Sequence, residues 1–215
     1  AASMSGCAGQ RCMAASAMIG VGNVDAIIDK ICEEARKIVP GENLGAVINK
    51  ESKERIERFI GEAERDGAKI LVDGRNTKVN GKENGTYVGP TVIDFVTPQM
   101  SVATEEIFGP VISIMRTNTV DEALAIENAN PYGNAASVFT QNGAMARYII
   151  DHASAGMIGV NVGVPVPREP FSFGGWNESK FGVGDITGKS SIEFWTKLKK
   201  STTKWNAEAG VNWMS

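Results

Sequence analysis

The chain has 215 residues, 42% of them hydrophobic, enough to bury a sizeable core in one domain with at most a small appendage. Its 22 basic and 25 acidic side chains leave a net charge of -3, a balance that argues against nucleic acid or an anionic membrane as principal partner. No apolar run approaches the roughly 20 residues of a membrane span, and the first residues lack the charged-then-apolar layout of a secretory signal. A soluble protein acting on small molecules or on other chains is expected.

The opening stretch is small, Gly-rich and cysteine-bearing, with no start methionine and no leading element, as a piece of a longer chain would be. From Asn23 to Val39, Val24, Ile27, Ile28, Ile31 and Ile38 recur at helical spacing, with Asn23 as N-cap and Pro40-Gly41 as the stop. A second amphipathic helix is predicted from Lys50 to Asp66, with Ile56, Phe59, Ile60 and Ala63 as its stripe and Gly67 at its end. Ala68 to Val72 reads as a strand, 73 to 90 as an exposed loop or hairpin, and Tyr87 to Val96 as a strand pair broken at Pro90. Val111 to Arg116 is strand-like, and Thr119 with Glu122 forms a capping box that opens a helix to about Asn130. Then come a strand at Ala136 to Thr140, a helix at Ala144 to Ser154 and a strand at Met157 to Val162.

This alternation predicts an α/β fold: a mostly parallel twisted sheet with helices on both faces. Residues 163 to 190, with prolines at 165, 167 and 170 and many glycines, form a long shaped loop of the kind that carries function. Ile192, Phe194 and Leu198 alternate with Glu193, Lys197 and Lys199, which predicts a half-polar terminal strand.

Three cysteines, Cys7, Cys12 and Cys32, are spaced for neither zinc nor a disulfide framework, and His152 is the only histidine. No metal site is expected, and Ser/His or Cys/His catalysis within the chain is disfavoured. In Gly9-Gln10-Arg11-Cys12 a guanidinium adjoins a thiol and favours the thiolate, the reactive form. The residues alone leave two readings open for Cys12, nucleophile or packed small hydrophobe. Cys32 falls on a helix stripe and reads as core; Cys7 is unassigned, a packing residue before a peroxide-sensitive thiol.

Glu105-Glu106-Ile107-Phe108 sets carboxylates and an aromatic before a strand, where they could accept hydrogen bonds from ribose hydroxyls or simply face solvent. Gly182-x-Gly184-x-x-Thr187-Gly188 lacks the leading strand of a dinucleotide fingerprint and reads as turn chemistry. His152 falls in the last turn of a predicted helix, a structural position.

Gly9-Gln10-Arg11-Cys12-Met13-Ala14, Glu105-Glu106-Ile107-Phe108-Gly109-Pro110 and the Phe/Gly loop at 171 to 175 together resemble the aldehyde dehydrogenase superfamily, over essentially the whole chain. Arg11 directly before Cys12, with Gly159-Val160-Asn161-Val162, Val164-Pro165-Val166-Pro167 and Phe171-Ser172-Phe173, resembles its CoA-acylating methylmalonate semialdehyde dehydrogenase branch; Gly174-Gly175-Trp176-Asn177 sits closer to the general superfamily loop.

The resemblance implies that Cys12 is the catalytic nucleophile, that Arg11 and Phe171 bind a small semialdehyde, and that Glu106 and Phe108 bind NAD, with CoA as co-substrate. It implies a catalytic portion at 1 to 190 and an oligomerisation strand and tail at 191 to 215 that joins a homo-oligomer, dimer or tetramer. The cofactor-binding domain and general-base glutamate of the family would precede this sequence, so the chain alone is expected to be inactive. Bacterial cytoplasm or mitochondrial matrix is the implied compartment. A hydrolytic aldehyde dehydrogenase and a non-catalytic assembly module are the competing readings.

Overall fold

The computed structural model describes residues 1–205. It opens with a short helix α1 (Ala2–Ser5) and a 3-10 turn (Gly6–Gly9), then runs through β1 (Ala17–Val21), α2 (Asp25–Arg36), α3 (Lys50–Arg65), β2 (Lys69–Val72), β3 (Thr91–Asp94) and α4 (Ser101–Thr104). There follow β4 (Val111–Thr117), α5 (Val120–Ala129), β5 (Tyr132–Gly133), β6 (Ala135–Val138), α6 (Gly143–His152), β7 (Met157–Val160), β8 (Trp176–Asn177) and α7 (Ser191–Trp195).

The main sheet has the order β1-β4-β3-β2, with β1, β4 and β3 parallel and β2 antiparallel at one edge. Side chains alternate across it, as the pleat demands. Val92, Ile112 and Ile114 pack against Ile28, Cys32 and Ala35 of α2. Ile93, Val111 and Met115 pack on the opposite face, against Ile56, Phe59, Ile60 and Ala63 of α3. The parallel sheet with helices on both faces is therefore as the sequence predicts. Fully burying such a side chain contributes about 1.5–3 kcal/mol, so the stripes of α2 and α3 hold the layers together. Two small sheets stand apart: β6 with β7, parallel, and β5 with β8, antiparallel.

Local signals explain the helix ends. Asn49 caps α3 by accepting from the Ser52 N–H, and Thr119 and Glu122 form the predicted capping box of α5. At α2 the N-cap is Val24; Asn23 stands one residue earlier and accepts from the Asp25 N–H. Several expectations change. Residues 87 to 90 are not strand, because Gly89 donates to the Gly74 carbonyl and the pairing begins only at Thr91. β1 and α4, which had no predicted counterpart, are present.

The predicted terminal strand is instead the helix α7 followed by irregular chain to 205. Among the described residues that segment pairs with no strand, whereas Ser191 and Thr196 hydroxyls reach the Gly188 and Ile192 carbonyls and favour a local turn. The rest of the expected tail, 206–215, lies outside the described residues.

An ion network fastens the sheet to α2. Arg116 on β4 donates to both oxygens of Asp94, at 3.0 and 2.8 Å, and to Asp25 in the first turn of α2 at 2.7 Å. Burial opposes the Asp94 charge, but Arg116 and the Phe95 N–H outweigh it and hold its carboxyl below the usual range. A depressed carboxyl pKa stabilises the fold at pH values above the unfolded value of about 3.9, and that contribution is lost as pH falls through the folded value. Asp94→Asn is expected to lower unfolding free energy by about 1–3 kcal/mol at neutral pH. Urea melts from pH 7 down to pH 3 check both points, since the difference between variant and parent should shrink toward the acid end.

Candidate active site

Cys12 lies in the loop that enters β1. The chain before it is wound left-handed, with Cys7 at φ 52°, Ala8 at φ 54° and Gly9 at φ +70°. Two non-glycine residues in that region cost about 1–2 kcal/mol each, so something must hold them. That support is a backbone contact. A Cβ on Gly9 would stand 2.7 Å from Pro110 N and closer still to the Gly109 carbonyl, and a Cβ on Gly109 would stand 2.7 Å from Ile56 Cδ1. The cysteine loop, Gly109 and α3 are stacked with no room for a side chain between them.

Around this stack, polar side chains fix the turn. Ala14 donates to the Arg11 carbonyl at 3.0 Å, closing a turn with Cys12 inside it. Gln10 Oε1 accepts from the Ile48 N–H at 3.0 Å, and Asn134 Nδ2 donates to the Cys12 carbonyl at 3.0 Å. Ala15 donates to the Ser3 carbonyl, and Gly163 is pressed against Ser3 Oγ, so the 163–190 loop starts beside the same segment. Cys12 is exposed, whereas Cys32 is buried and its thiol is pushed up by that burial. The core reading of Cys32 holds, and Cys7 is exposed rather than packed.

The loop before β4 is held from α3: Arg55 donates to the Glu106 carbonyl at 3.0 Å and to the Ile107 carbonyl at 2.7 Å. Ile107 is buried, which leaves Glu106 exposed, and its carboxylate makes no hydrogen bond among the described residues. Phe108 is half-buried at φ 52°, a strained conformation for a bulky residue and a mark of a site the surroundings over-determine. The Gly9–Gly109 contact thus gathers the Arg11-Cys12 and Glu106–Phe108 segments. Phe171 is 72% exposed on the 163–190 loop, and the contacts that gather the others do not include it.

That loop is internally built. Lys180 pairs with Asp185 at 2.8 Å, Ser172 and Ser190 hydroxyls meet at 2.6 Å, and the Phe173 N–H donates to Thr187 Oγ1. Gly182, Gly184 and Gly188 all have positive φ, as turn glycines do. His152 stacks on Tyr148 and bonds its carbonyl, a structural position. No group of three metal-ligating side chains occurs among the described residues. Nor is any helix of the described residues long and apolar enough to cross a membrane.

Sequence reasoning missed Asn134. Its signal was slight, an asparagine after Asn130-Pro131-Tyr132-Gly133, between a predicted helix end and a predicted strand.

Residues 1–201 match the model of the aldehyde dehydrogenase family. The chain belongs to that family. Among its relatives, the Drosophila melanogaster protein named probable methylmalonate-semialdehyde/malonate-semialdehyde dehydrogenase, acylating, mitochondrial, is 46% identical over 93% of this chain and 40% of its own length. The Bos taurus methylmalonate-semialdehyde/malonate-semialdehyde dehydrogenase, acylating, mitochondrial, is 46% identical over 94% of this chain and 39% of its own. The chain therefore spans about two-fifths of the curated relatives it matches.

Two crystal structures superpose at a TM-score of 0.92. The methylmalonate-semialdehyde dehydrogenase of Oceanimonas doudoroffii is 40% identical, over 96% of this chain and 44% of that one. The putative methylmalonate-semialdehyde dehydrogenase of Sinorhizobium meliloti 1021, complexed with NAD, is 38% identical, over 97% and 44%. The fold of this aldehyde dehydrogenase chain is thus that of the family. In native protein given brief iodoacetamide, peptide mapping should show Cys12 alkylated at least about tenfold faster than Cys32, whose reaction should wait for unfolding. Equal rates would remove the case for Cys12 as a reactive thiol.

Proposed function

We propose that this chain bears the nucleophile of an NAD-dependent, CoA-acylating dehydrogenase of methylmalonate or malonate semialdehyde. The observation that carries the reading is an exposed thiol preceded in sequence by an arginine that has no ion-pair partner among the described residues. A cation carried by the residue before the nucleophile, and without a counter-ion among the described residues, suits a substrate that brings its own carboxylate. The names of the relatives support the same choice.

In this reading Cys12 Sγ, as thiolate, adds to the aldehyde carbon, and the carbonyl electron pair moves to oxygen. The Cys12 N–H donates to nothing among the described residues and is free to stabilise that oxyanion. NAD, when bound, accepts the hydride whose loss turns the thiohemiacetal into a thioester. The thiolate of CoA then attacks the acyl carbon, the bond to Cys12 Sγ breaks, and the acyl-CoA leaves. Arg11 holds the substrate carboxylate throughout, and Phe171 lines the substrate path as the loop carries it. The free Glu106 carboxylate would accept from the ribose hydroxyls of NAD, and Phe108 would help hold its nicotinamide end.

Residues 1–190 form the catalytic portion in this proposal. The exposed Ile192, Trp195, Leu198 and Trp205 on the tail from 191 fit contact with a second copy, dimer or tetramer. The remaining length of the relatives would supply the cofactor domain and the general base. The isolated 215-residue chain is therefore expected to show no NAD reduction with malonate semialdehyde, and measurable turnover by it would contradict this division of labour. The complete enzyme should convert malonate semialdehyde to an acyl-CoA and stall without CoA after about one equivalent of NADH per site, as a covalent acyl-enzyme requires. Steady release of free acid without CoA would favour a hydrolytic aldehyde dehydrogenase instead.

A further inference from the structure

Glycine at position 6 has no backbone reason to be there. Its φ of -56° and ψ of 128° lie in the extended region open to every L-residue. Gly9, by contrast, needs its left-handed φ. What Gly6 supplies is space. A Cβ there would stand 2.9 Å from Arg11 Nε and closer still to Cζ and Nη2, so the guanidinium lies directly over the Gly6 Cα. In that position Arg11 Nε is buried with no hydrogen-bond partner, and the side chain makes no ion pair among the described residues. The arginine is held by shape alone, and what shapes it is the missing side chain at position 6.

We infer that Gly6 is a positioning residue for substrate selection: by admitting the Arg11 guanidinium above its Cα, it sets where the cation stands and so favours aldehydes that carry a carboxylate over neutral ones. This rests on the reading of Arg11 as carboxylate partner. Fork-like recognition of a carboxylate depends on the plane and position of the guanidinium, so a displacement of about 1 Å weakens it. A side chain at position 6 forces such a displacement. It does so without breaking the fold, because the backbone accepts alanine and the group it meets is the far end of a flexible side chain.

The test compares malonate semialdehyde with propanal, its neutral analogue of equal chain length, in the complete enzyme. For Gly6→Ala the KM for malonate semialdehyde should rise about tenfold with kcat little changed, while both constants for propanal stay within about twofold. Arg11→Gln separates the two layers of the argument. If it leaves the ratio of malonate semialdehyde to propanal kcat/KM unchanged, the carboxylate role of Arg11 fails. If it lowers that ratio and Gly6→Ala does not, the inference about Gly6 fails alone.

Adding Gly6→Ala to Arg11→Gln should have no further effect, because the shorter amide leaves the space over the Gly6 Cα vacant. An equal cost in both backgrounds would make Gly6 merely structural and overturn the inference. Should Gly6→Ala by itself not accumulate, a folded double variant would still support the clash with Arg11, and loss of the double variant as well would refute it.

Discussion

The structure depends on a place where two backbones touch. Gly9 and Gly109 meet without a side chain between them, and Ile56 of α3 closes the stack from beneath. A Cβ at Gly9 would push the cysteine loop off the loop before β4, and one at Gly109 would push that loop off Ile56. Because those loops lead into β1 and β4, which pair in parallel from Ala17 opposite Ser113, the contact also fixes where the strands begin. Sheet register and site geometry are thus one constraint, set by close packing that transmits displacement rather than absorbing it.

The topology puts the site on an unusual edge. Cys12 precedes β1, Gly109 precedes β4 and Asn134 precedes β6, so the groups gather at the N-terminal ends of parallel strands. Open α/β sheets more often bind ligands beyond the carboxyl ends of their strands. The difference follows from what the strand entries carry here: a left-handed run at Cys7, Ala8 and Gly9, a left-handed Phe108, and an Arg55 clamp on the intervening carbonyls. These strained positions persist because core side chains on both sides over-determine them.

Much of this was legible in the order of residues, and the reasons it was or was not are physical. The helices α2, α3, α5 and α6 announce themselves because periodic burial and capping act within a few residues of each other. β1 does not, since Ala17–Val21 is short, contains Gly20, and becomes a strand only by pairing with a partner far along the chain. The terminal segment misled for the opposite reason: its alternation is real, but a strand needs another strand, and among the described residues Ser191 and Thr196 make nearer, local bonds instead.

For the site, the motifs around Cys12 and Glu106 carried the family resemblance, which the match over residues 1–201 bears out. Gly6 and Asn134 stayed invisible. Their roles lie in a guanidinium folded back and in a bond spanning 122 positions, and neither leaves a local pattern.

That long bond changes which parts of the chain can vary in length. The Cys12 carbonyl is tied to Asn134, which sits between β5 and β6; β5 is pinned to β8, and the Gly133 N–H donates to Ser179 Oγ. Surface loops ordinarily accept insertions and deletions freely. Here a single residue gained or lost between Pro131 and Asn134, or between Trp176 and Ser179, would shift the anchor of a turn far away in sequence. Length, more than residue identity, is what these two stretches are obliged to keep.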